Sequence, residues 1–333
     1  MRHGKVAIIY TGGTFGMRPT ARGYAPARDL GSLIRARLPE LADESMPGYE
    51  LIEYEQPLES ANAAPADWYE LARRIEDIVV IHGTDTLAYT ASALSFLLAD
   101  RCPPVLVTGS QIPLCEVRSD AAGNLVSAVQ AIATGRLAEV AVCFGRFILR
   151  GNRTTKVNAT ELDAFASPNF LPLAEIGTEL RFEDVGRPPA DGGLFAAPAP
   201  AYRDCRIAVL RLFPGIQDVM IDAIVEAGAA GVVLRCYGVG TAPTDDARFL
   251  AALKRACDAG VVIAAVSQCQ EGSVSLDRYA ASSGMVDAGV VSGYDMTTEA
   301  AFTKMHALFA RGLERGAIAE LMAQNLRGEL SAD

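Results

Sequence analysis

The segment IVVIHGTDTLAYTASALSFLLAD, residues 78–100, contains a short apolar run, a polar turn and a second, longer apolar stretch. The first four residues are all β-branched and show no polar alternation, which is typical of a strand buried on both faces of a sheet. Residues 87–100 have the length and composition of a helix that covers such a sheet. The segment therefore predicts a βα unit whose polar residues HGTDT lie at the carboxyl end of the strand.

Similar short runs of Val, Ile and Leu recur along the whole chain, namely KVAIIY (5–10), PVLVTG (104–109), VAVCF (140–144), RIAVLRL (206–212), GVVLRCYG (231–238), GVVIAAVSQ (260–268) and GVVSG (289–293). Helix-like stretches separate them, as in parallel sheets with crossover helices. Residues 183–203 are rich in Pro and Gly and predict a connector. We therefore predict an α/β protein with a larger N-terminal catalytic domain (1–185), whose mostly parallel sheet is flanked by helices, a linker (186–203) and a smaller C-terminal α/β domain (204–333) with a parallel sheet.

Composition excludes several classes of partner. The chain has 333 residues, half of them apolar, which is enough to bury a sizeable core. Its formal charge of -10 and its scattered Lys and Arg residues provide no basic surface for nucleic acid. No apolar run reaches membrane-spanning length, and the first residues enter a strand without the pattern of a signal peptide. The seven cysteines lack CxxC spacing. They predict reduced thiols and a cytoplasmic location.

Three polar clusters follow predicted strands, where open α/β sheets collect their chemistry. They are TGGT (11–14), HGTDT (82–86) and TGSQIPLCEVRSDAAGN (108–124). TGGT matches neither GxGxxG nor GxxxxGK[ST], so a phosphate-binding loop is disfavoured. Its glycines allow a ligand to approach backbone N–H groups closely, as in an oxyanion hole. Thr11 and Thr14 are therefore the candidate nucleophiles.

Histidine and metal chemistry are both disfavoured. The chain has three histidines, His3, His82 and His306, and the one in the HGTDT turn is expected to form structural hydrogen bonds. Dispersed cysteines and so few histidines supply no set of metal ligands. Lys156 lies in a loop rich in Gly, Asn and Thr, and could deprotonate a threonine while Asp85 pairs with it. The alternative for Lys156 is an ordinary solvated loop cation.

Seven motifs together resemble the bacterial type I, cytoplasmic L-asparaginases of the asparaginase/glutaminase family: YTGGTFGM, HGTDTLAYTASALSF, VTGSQIPLCEVRSDAAGNL, LRGNRTTK, DAFASPN, YGVGTAP and QNLRGEL. They extend from residue 10 to residue 330, so the resemblance covers nearly the whole chain. It implies a two-domain α/β amidohydrolase that converts L-asparagine to L-aspartate and ammonia without a cofactor or a metal. It also implies a homodimer or a homotetramer.

The resemblance assigns roles to individual residues. Thr14 matches the threonine that accepts the acyl group, and Thr84 matches a second catalytic threonine. Asp85 matches the carboxylate that holds the α-ammonium group of the substrate, and Lys156 the lysine bonded to the second threonine. Tyr24 resembles the tyrosine of a mobile lid. The residues that the resemblance places around the substrate are Gly13, Glu59, Ser60, Gly83 and Ser110.

A regulatory asparagine site is a weaker implication of the same resemblance. Some cytoplasmic members bind asparagine near a dimer interface, and Thr155, Arg235 and Cys269 occupy similar positions. Ordinary packing and interface contacts are the alternative for these three residues, because allostery requires differential binding.

Two departures from the family pattern concern local geometry. Glu59 stands where an Asp is expected, and the segment before Ile78 is about ten residues shorter than the family pattern. The functional alternatives are a glutaminase-leaning amidase and a catalytically silent asparagine or aspartate sensor, and the presence of the four matched catalytic residues argues against the sensor. The amide-hydrolysing subunit of a tRNA-dependent amidotransferase is disfavoured, because it normally adds a separate domain before TGGT. A nucleotide-binding Rossmann protein is disfavoured because its fingerprint is missing.

Overall fold

A computed structural model describes residues 5–26, 29–75, 78–100, 103–189, 193–277 and 280–331. The chain divides into two compact units, Met1–Arg187 and Pro188–Asp333. Residues 190–192 of the predicted linker, and residues 76 and 77 of the shortened junction, lie outside the described residues. The predicted bounds of the domains and of the linker stay predictions.

The N-terminal unit combines twelve described strands with four described α-helices. The strands are β1 (Val6–Gly12), β2 (Met17–Thr20), β3 (Gly23–Pro26), β4 (Tyr49–Leu58), β5 (Ile78–Ile81), β6 (Val105–Thr108), β7 (Val140–Phe144), β8 (Phe147–Arg150), β9 (Thr155–Lys156), β10 (Phe165–Ala166), β11 (Ala174–Ile176) and β12 (Leu180–Phe182). The helices are α1 (Leu30–Arg37), α2 (Pro65–Ala72), α3 (Leu87–Leu97) and α4 (Ala121–Ala133).

Eight of these strands form one sheet in the order β12-β11-β8-β7-β6-β5-β1-β4. The strands from β4 to β7 in this order run parallel, and β8, β11 and β12 add an antiparallel edge. Parallel neighbours place their carboxyl ends at one edge of the sheet. TGGT, HGTDT and TGSQ, which follow β1, β5 and β6, are therefore neighbours.

The core of this unit lies on both faces of the sheet. On β5, Val79 and Ile81 pack with residues of α1 and α4, whereas Ile78 and Val80 pack with residues of α2 and α3. All four side chains are buried, because successive residues of a strand point to opposite faces and helices cover each face. This double burial explains why the strand sequence shows no polar alternation. The predicted mostly parallel sheet flanked by helices is confirmed.

The antiparallel edge was not anticipated from the sequence. Gly145 adopts a positive φ of 59° in the turn between β7 and β8, which reverses the chain without a crossover helix. The edge strand β12 and its neighbour β11 have three residues each and carry exposed charges at Arg181 and Glu175. Short charged edge strands are common in native sheets, because they discourage pairing with other chains.

The C-terminal unit contains a second, smaller sheet. Its strands are β13 (Ile207–Arg211), β14 (Gly231–Cys236), β15 (Val262–Ser267) and β16 (Val291–Ser292), which lie in that order and run parallel. Its helices are α5 (Val219–Glu226), α6 (Ala247–Asp258), α7 (Ala280–Asp287), α8 (Thr298–Ala310) and α9 (Arg315–Met322). Leu234, Ile263 and Phe249 belong to one core cluster of sheet and helix. The predicted smaller α/β domain with a parallel sheet is confirmed.

Among the described residues, no helix is both long and apolar enough to cross a bilayer.

A fully buried ion pair holds the C-terminal segment of this unit against α8. Lys304 Nζ lies 2.6 Å from Glu329 Oε1, and both side chains are 0% exposed. The ammonium group also donates to the carbonyl of Met322, and Glu329 accepts from the N–H of Leu326. Burial lowers the pKa of Lys304, and the carboxylate of Glu329 opposes that shift. Both charges are hydrogen-bonded, as buried charges must be.

Lys304→Met is expected to destabilise the C-terminal unit by about 3 to 5 kcal/mol, because it leaves the carboxylate of Glu329 buried without its counter-charge. Denaturant unfolding of the whole chain measures this change. Lys254→Met is the matched control, since Lys254 forms an exposed pair with Asp258 whose loss changes stability by at most about 1 kcal/mol. Equal effects of the two substitutions would contradict the role of the buried pair.

Candidate active site

Two glycines bring the TGGT and HGTDT turns into direct backbone contact. Gly13 has a φ of 87°, and a β-carbon at this residue would lie 2.2 Å from Gly83 Cα. A β-carbon at Gly83 would in turn lie 2.5 Å from Ser60 Oγ. No other residue type fits either position without moving a neighbour. The two turns that carry Thr14 and Thr84 therefore meet, with Ser60 beside them.

Thr14 and Thr11 differ in what their hydroxyl groups do. The hydroxyl of Thr11 donates to the carbonyl of Ile81 at 3.1 Å, and the residue is buried. Thr14 begins a 3-10 turn, Thr14–Gly16, and is half-buried. Of the two candidate nucleophiles, Thr14 therefore has the more accessible side chain, whereas Thr11 joins β1 to β5.

Lys156 connects the second turn to a loop more than seventy positions later in the chain. Its Nζ donates to Thr84 Oγ1 at 2.8 Å and to Asp85 Oδ1 at 2.9 Å. Lys156 lies on β9, which pairs with β10 in a separate two-stranded sheet. The side chain of Lys156 is 21% exposed and that of Asp85 is 62% exposed. The pairing of Lys156 with Asp85 is therefore present, and Lys156 is not a free loop cation.

The arrangement of Lys156, Thr84 and Asp85 can stabilise negative charge and bind a cationic group. An ammonium group that donates to a threonine oxygen stabilises negative charge that develops on that oxygen. The carboxylate of Asp85 keeps most of its surface open to solvent, so it can also bind a second cationic group from a ligand. A small molecule that carries both an amino group and a reactive carbonyl matches these two features.

Ser60 and Glu59 lie at the end of β4. Ser60 begins a 3-10 turn, is buried, and accepts a hydrogen bond at its carbonyl from the hydroxyl of Thr86 at 2.8 Å. Glu59, which precedes the turn, is exposed. The structure therefore brings Ser60 against the HGTDT turn, and leaves Glu59 towards solvent.

Ser110 follows β6 and is completely buried, and within the described part of the chain its hydroxyl has no hydrogen-bond partner. Gly109, which precedes it, lies against the carbonyl of His82, since a β-carbon there would be 2.4 Å from that oxygen. Ser110 is thus adjacent to the HGTDT turn along the sheet edge. A buried hydroxyl that lacks a protein partner is a candidate for binding a ligand.

Sequence reasoning missed two residues that hold this third turn in place. The carboxylate of Asp120 accepts from the N–H groups of Gln111 and Ile112, each at 2.9 Å. Asn124 donates to the carbonyl of Gly109 at 3.0 Å and to Asp120 at 3.2 Å. Both residues lie in the polar cluster 108–124, which is the signal that the sequence contained, and the side chain of Asp120 makes no capping bond to α4.

The same turn supports the loop that carries Lys156. The side-chain amide of Gln111 donates to the carbonyls of Ala159 and Glu161, each at 3.1 Å. The N–H of Val157 donates to the carbonyl of Ala164 at 2.9 Å. These bonds connect residues 157–164 both to the turn after β6 and across the loop itself. The loop that directly follows Lys156 is therefore held both by the turn after β6 and by its own backbone bond.

His82 and His306 have structural surroundings. The ring of His82 contacts Gly83 O at 2.8 Å and Thr90 Oγ1 at 3.0 Å, and burial lowers its pKa. His306 contacts Cys205 Sγ at 3.1 Å, and burial lowers its pKa to about 4. His82 therefore has the structural hydrogen bonds expected for it. His3 lies outside the described residues.

Tyr24 lies on β3 of the β2–β3 hairpin, which follows the turn of Thr14. Its ring is 51% exposed, and its hydroxyl donates to Glu116 Oε1 at 2.8 Å. This hydrogen bond raises the pKa of Tyr24, because the carboxylate stabilises the neutral phenol. Tyr24 is therefore held protonated beside Glu116, on a strand that neighbours the turn of Thr14.

The three residues of the predicted regulatory site do not belong to one unit. Thr155 precedes Lys156 on β9 of the N-terminal unit. Arg235 on β14 and Cys269 after β15 lie in the C-terminal unit. Their regulatory role stays a prediction.

No group of three or more potential metal ligands occurs within the residues for which the structure gives positions.

Two family models and several known proteins are similar to this chain. Residues 5–185 match the family model "Asparaginase, N-terminal", and residues 206–322 match "Glutaminase/Asparaginase C-terminal domain". The chain is 41% identical to L-asparaginase 1 of Escherichia coli strain K12, with complete coverage of both sequences. It is 34% identical to a glutamyl-tRNA(Gln) amidotransferase component from Aeropyrum pernix, over 98% of this chain and 79% of that one.

A solved structure agrees with these sequence matches. L-asparaginase I from Vibrio cholerae superimposes with a TM-score of 0.87 at 35% identity, over 98% of this chain and 99% of that one. Both family models, a relative matched over its full length and a fold shared across nearly the whole chain thus lead to one assignment. The chain belongs to the asparaginase/glutaminase family, which confirms the resemblance to type I L-asparaginases that its motifs predicted.

Proposed function

We propose that this enzyme hydrolyses the side-chain amide of L-asparagine, giving L-aspartate and ammonia, with Thr14 as the nucleophile. The family match and the similarity to L-asparaginase 1 of Escherichia coli support asparagine as the substrate. One observation in the structure carries the proposal: Lys156 Nζ lies within hydrogen-bond distance of both Thr84 and Asp85, on the turn that contacts TGGT.

The proposed reaction has two stages. The hydroxyl oxygen of Thr14 attacks the side-chain carbonyl carbon and gives up its proton, and a tetrahedral intermediate forms. The C–N bond then breaks, and ammonia leaves with that proton. Water next attacks the aspartyl ester on Thr14, the ester C–O bond breaks to release L-aspartate, and a proton from that water restores the hydroxyl of Thr14. A covalent intermediate of this kind divides one difficult hydrolysis into two easier steps.

Backbone N–H groups of the two contacting turns are the proposed donors to the oxyanion. Each such donor typically stabilises a tetrahedral intermediate by about 3 kcal/mol. Gly13 and Gly83 allow this approach, because neither has a side chain between the ligand and the backbone. The ammonium group of Lys156 adds positive charge next to Thr84, which in the proposal assists the transfer of protons at the reacting amide.

The two ends of asparagine match the remaining polar groups. Asp85 would bind the α-ammonium group, and its 62% exposed carboxylate has room for that contact beside Lys156. Ser60 would bind the α-carboxylate, and Ser110 supplies a buried hydroxyl without a protein partner among the described residues. Glu59 is proposed only as an outer contact, because it faces solvent.

Two alternatives use the same pocket. A glutaminase-leaning amidase differs from an asparaginase by one methylene in the substrate, which changes affinity by about 1 to 3 kcal/mol in an apolar pocket. A silent sensor would bind asparagine without turnover, but it would not require Lys156 to be placed on Thr84. Regulation by asparagine, assembly into a homodimer or homotetramer and a cytoplasmic location remain proposals that rest on the family resemblance.

Ammonia release from L-asparagine and from L-glutamine tests the proposal. We expect release from both amides to be measurable, with a higher kcat/KM for asparagine, and we expect hydroxylamine to divert the acyl-enzyme to aspartyl hydroxamate. No ammonia from either amide, together with a higher melting temperature in asparagine, would instead identify a sensor. Ammonia release without any hydroxamate would exclude the covalent route.

A further inference from the structure

We infer that Glu116 is a positioning residue that fixes Tyr24 and the β2–β3 hairpin beside the turn that begins at Thr14. The inference rests on the proposed function, since it concerns the rate of the reaction assigned to Thr14. Its physical basis is the hydrogen bond from the Tyr24 hydroxyl to Glu116 Oε1 at 2.8 Å, which joins residues 92 positions apart.

The hairpin has little else to hold it. Among the residues that the structure describes, its two strands pair only with each other, and Tyr24 is paired with Pro19. All of its strand residues are exposed or only partly covered, and the turn leads into a glycine at φ 106°. A two-stranded hairpin without a packed face is marginally stable by itself. The part of the hairpin that carries Tyr24 therefore depends on contacts outside it.

Glu116, in contrast, belongs to a segment that is fastened at several points. The N–H of Leu114 donates to the carbonyl of Phe15 at 3.0 Å, and Arg37 donates to the carbonyl of Cys115 at 2.9 Å. The thiol of Cys115 contacts the carbonyl of Met17 at 3.4 Å. These contacts attach residues 114–116 to the base of the hairpin. Glu116 is thus the fixed end of the bond, and Tyr24 is the end that can move.

The direction of the hydrogen bond determines what Tyr24 offers to the site. Its proton points to Glu116, so the lone pairs of the phenol oxygen stay available to accept a hydrogen bond from another hydroxyl. Glu116 and Cys115 are the titratable groups that act on the phenol, and both raise its pKa and favour its neutral form. Glu116 therefore orients the acceptor side of Tyr24, and in this role it does not contact the substrate.

A double-mutant cycle separates this role from a general structural one. We expect Glu116→Ala to lower kcat/KM for L-asparagine about tenfold in the wild-type background, since small displacements of positioned groups have effects of at least this size. In a Tyr24→Phe background, which has no hydroxyl to hold, we expect the same substitution to change kcat/KM less than about twofold. An equal loss in both backgrounds would overturn the inference.

Two further variants sharpen the test. Glu116→Gln keeps an oxygen that can accept the phenol proton, and we expect it to restore most of the rate. A Gln variant as slow as the Ala variant would also overturn the inference. Glu44→Ala, at an exposed glutamate of the same unit, is the matched control and should behave as wild type.

Limited trypsin digestion gives a readout that is independent of catalysis. Arg18 and Arg22 lie in the hairpin and are exposed, so cleavage at Arg22 reports how often the hairpin opens, whereas the bond after Arg18 precedes Pro19 and resists trypsin. We expect Glu116→Ala to be cut at Arg22 about fivefold faster than wild type, because local opening controls such cleavage. Unchanged cleavage would contradict the positioning role of Glu116. A wild type that releases no ammonia would overturn the proposed function, and digestion would then decide alone on Glu116.

Discussion

Thr14→Ala is expected to lower kcat for L-asparagine by about 10⁴-fold or more, because it removes the atom to which the acyl group is transferred. The substitution deletes one half-buried hydroxyl and leaves the Gly13–Gly83 contact untouched. Asparagine should therefore still bind and still raise the melting temperature of the variant. Ammonia release at saturating asparagine measures the effect, and no hydroxamate should form with hydroxylamine.

Thr11→Val is the matched control for this prediction. The hydroxyl of Thr11 is already used in its bond to the carbonyl of Ile81, so its loss should reduce stability by about 1 to 2 kcal/mol and leave kcat within about threefold of wild type. The reverse pattern, an inactive Thr11 variant and an active Thr14 variant, would refute the choice of nucleophile.

Lys156→Met is expected to lower kcat by about 10³-fold, a size typical for loss of a charged group that stabilises a transition state. Methionine has a similar length, but it cannot donate to Thr84 Oγ1 or to Asp85 Oδ1, which now accept at 2.8 and 2.9 Å. The melting temperature should change little, because the exposed carboxylate of Asp85 can be solvated by water. Steady-state kinetics and thermal unfolding of the same preparation measure both quantities.

A variant that loses activity but keeps its stability would identify Lys156 as functional. Lys254→Met removes a surface cation that is paired with Asp258 on one helix, and it should leave kcat and the melting temperature unchanged. A Lys156 variant that also keeps its kcat would restore the interpretation of Lys156 as a loop cation. A variant that unfolds would instead make the lysine a structural residue.

Much of the fold was predictable from the sequence, and the reason lies in local patterns. The run IVVI predicts β5 because a strand covered on both faces has no position for a polar residue, and the structure buries all four side chains. Apolar runs of the same kind recur after residue 203, and they predict the second sheet for the same reason. The turns TGGT and HGTDT could be placed at strand ends, because Gly and Thr follow apolar runs there.

The antiparallel edge was not predictable in this way. β11 and β12 are only three residues long and contain exposed charges, so their hydrophobic pattern is too short to recognise. The β2–β3 hairpin is exposed and has almost no apolar pattern at all. Its two strands depend on the contacts of Met17 with Cys115 and of Tyr24 with Glu116, which join residues 98 and 92 positions apart and leave no local trace in the sequence.

The sequence by itself determined the class of fold, the family and the residue types available for chemistry. Burial, turn geometry and motif order can all be recognised from the order of the residues. The resemblance also predicted that Lys156 pairs with Thr84 and Asp85, but only the tertiary structure shows how these residues are held and which threonine of TGGT has the more accessible side chain. Lys156 donates to Thr84 and Asp85 from β9, the loop that follows β9 is bonded to the turn after β6, and the hydroxyl of Thr11 is used internally while Thr14 is half-buried. These contacts join residues that are tens of positions apart in the chain. The distances between their side chains depend on the order of the strands in the sheet, which no local sequence pattern shows.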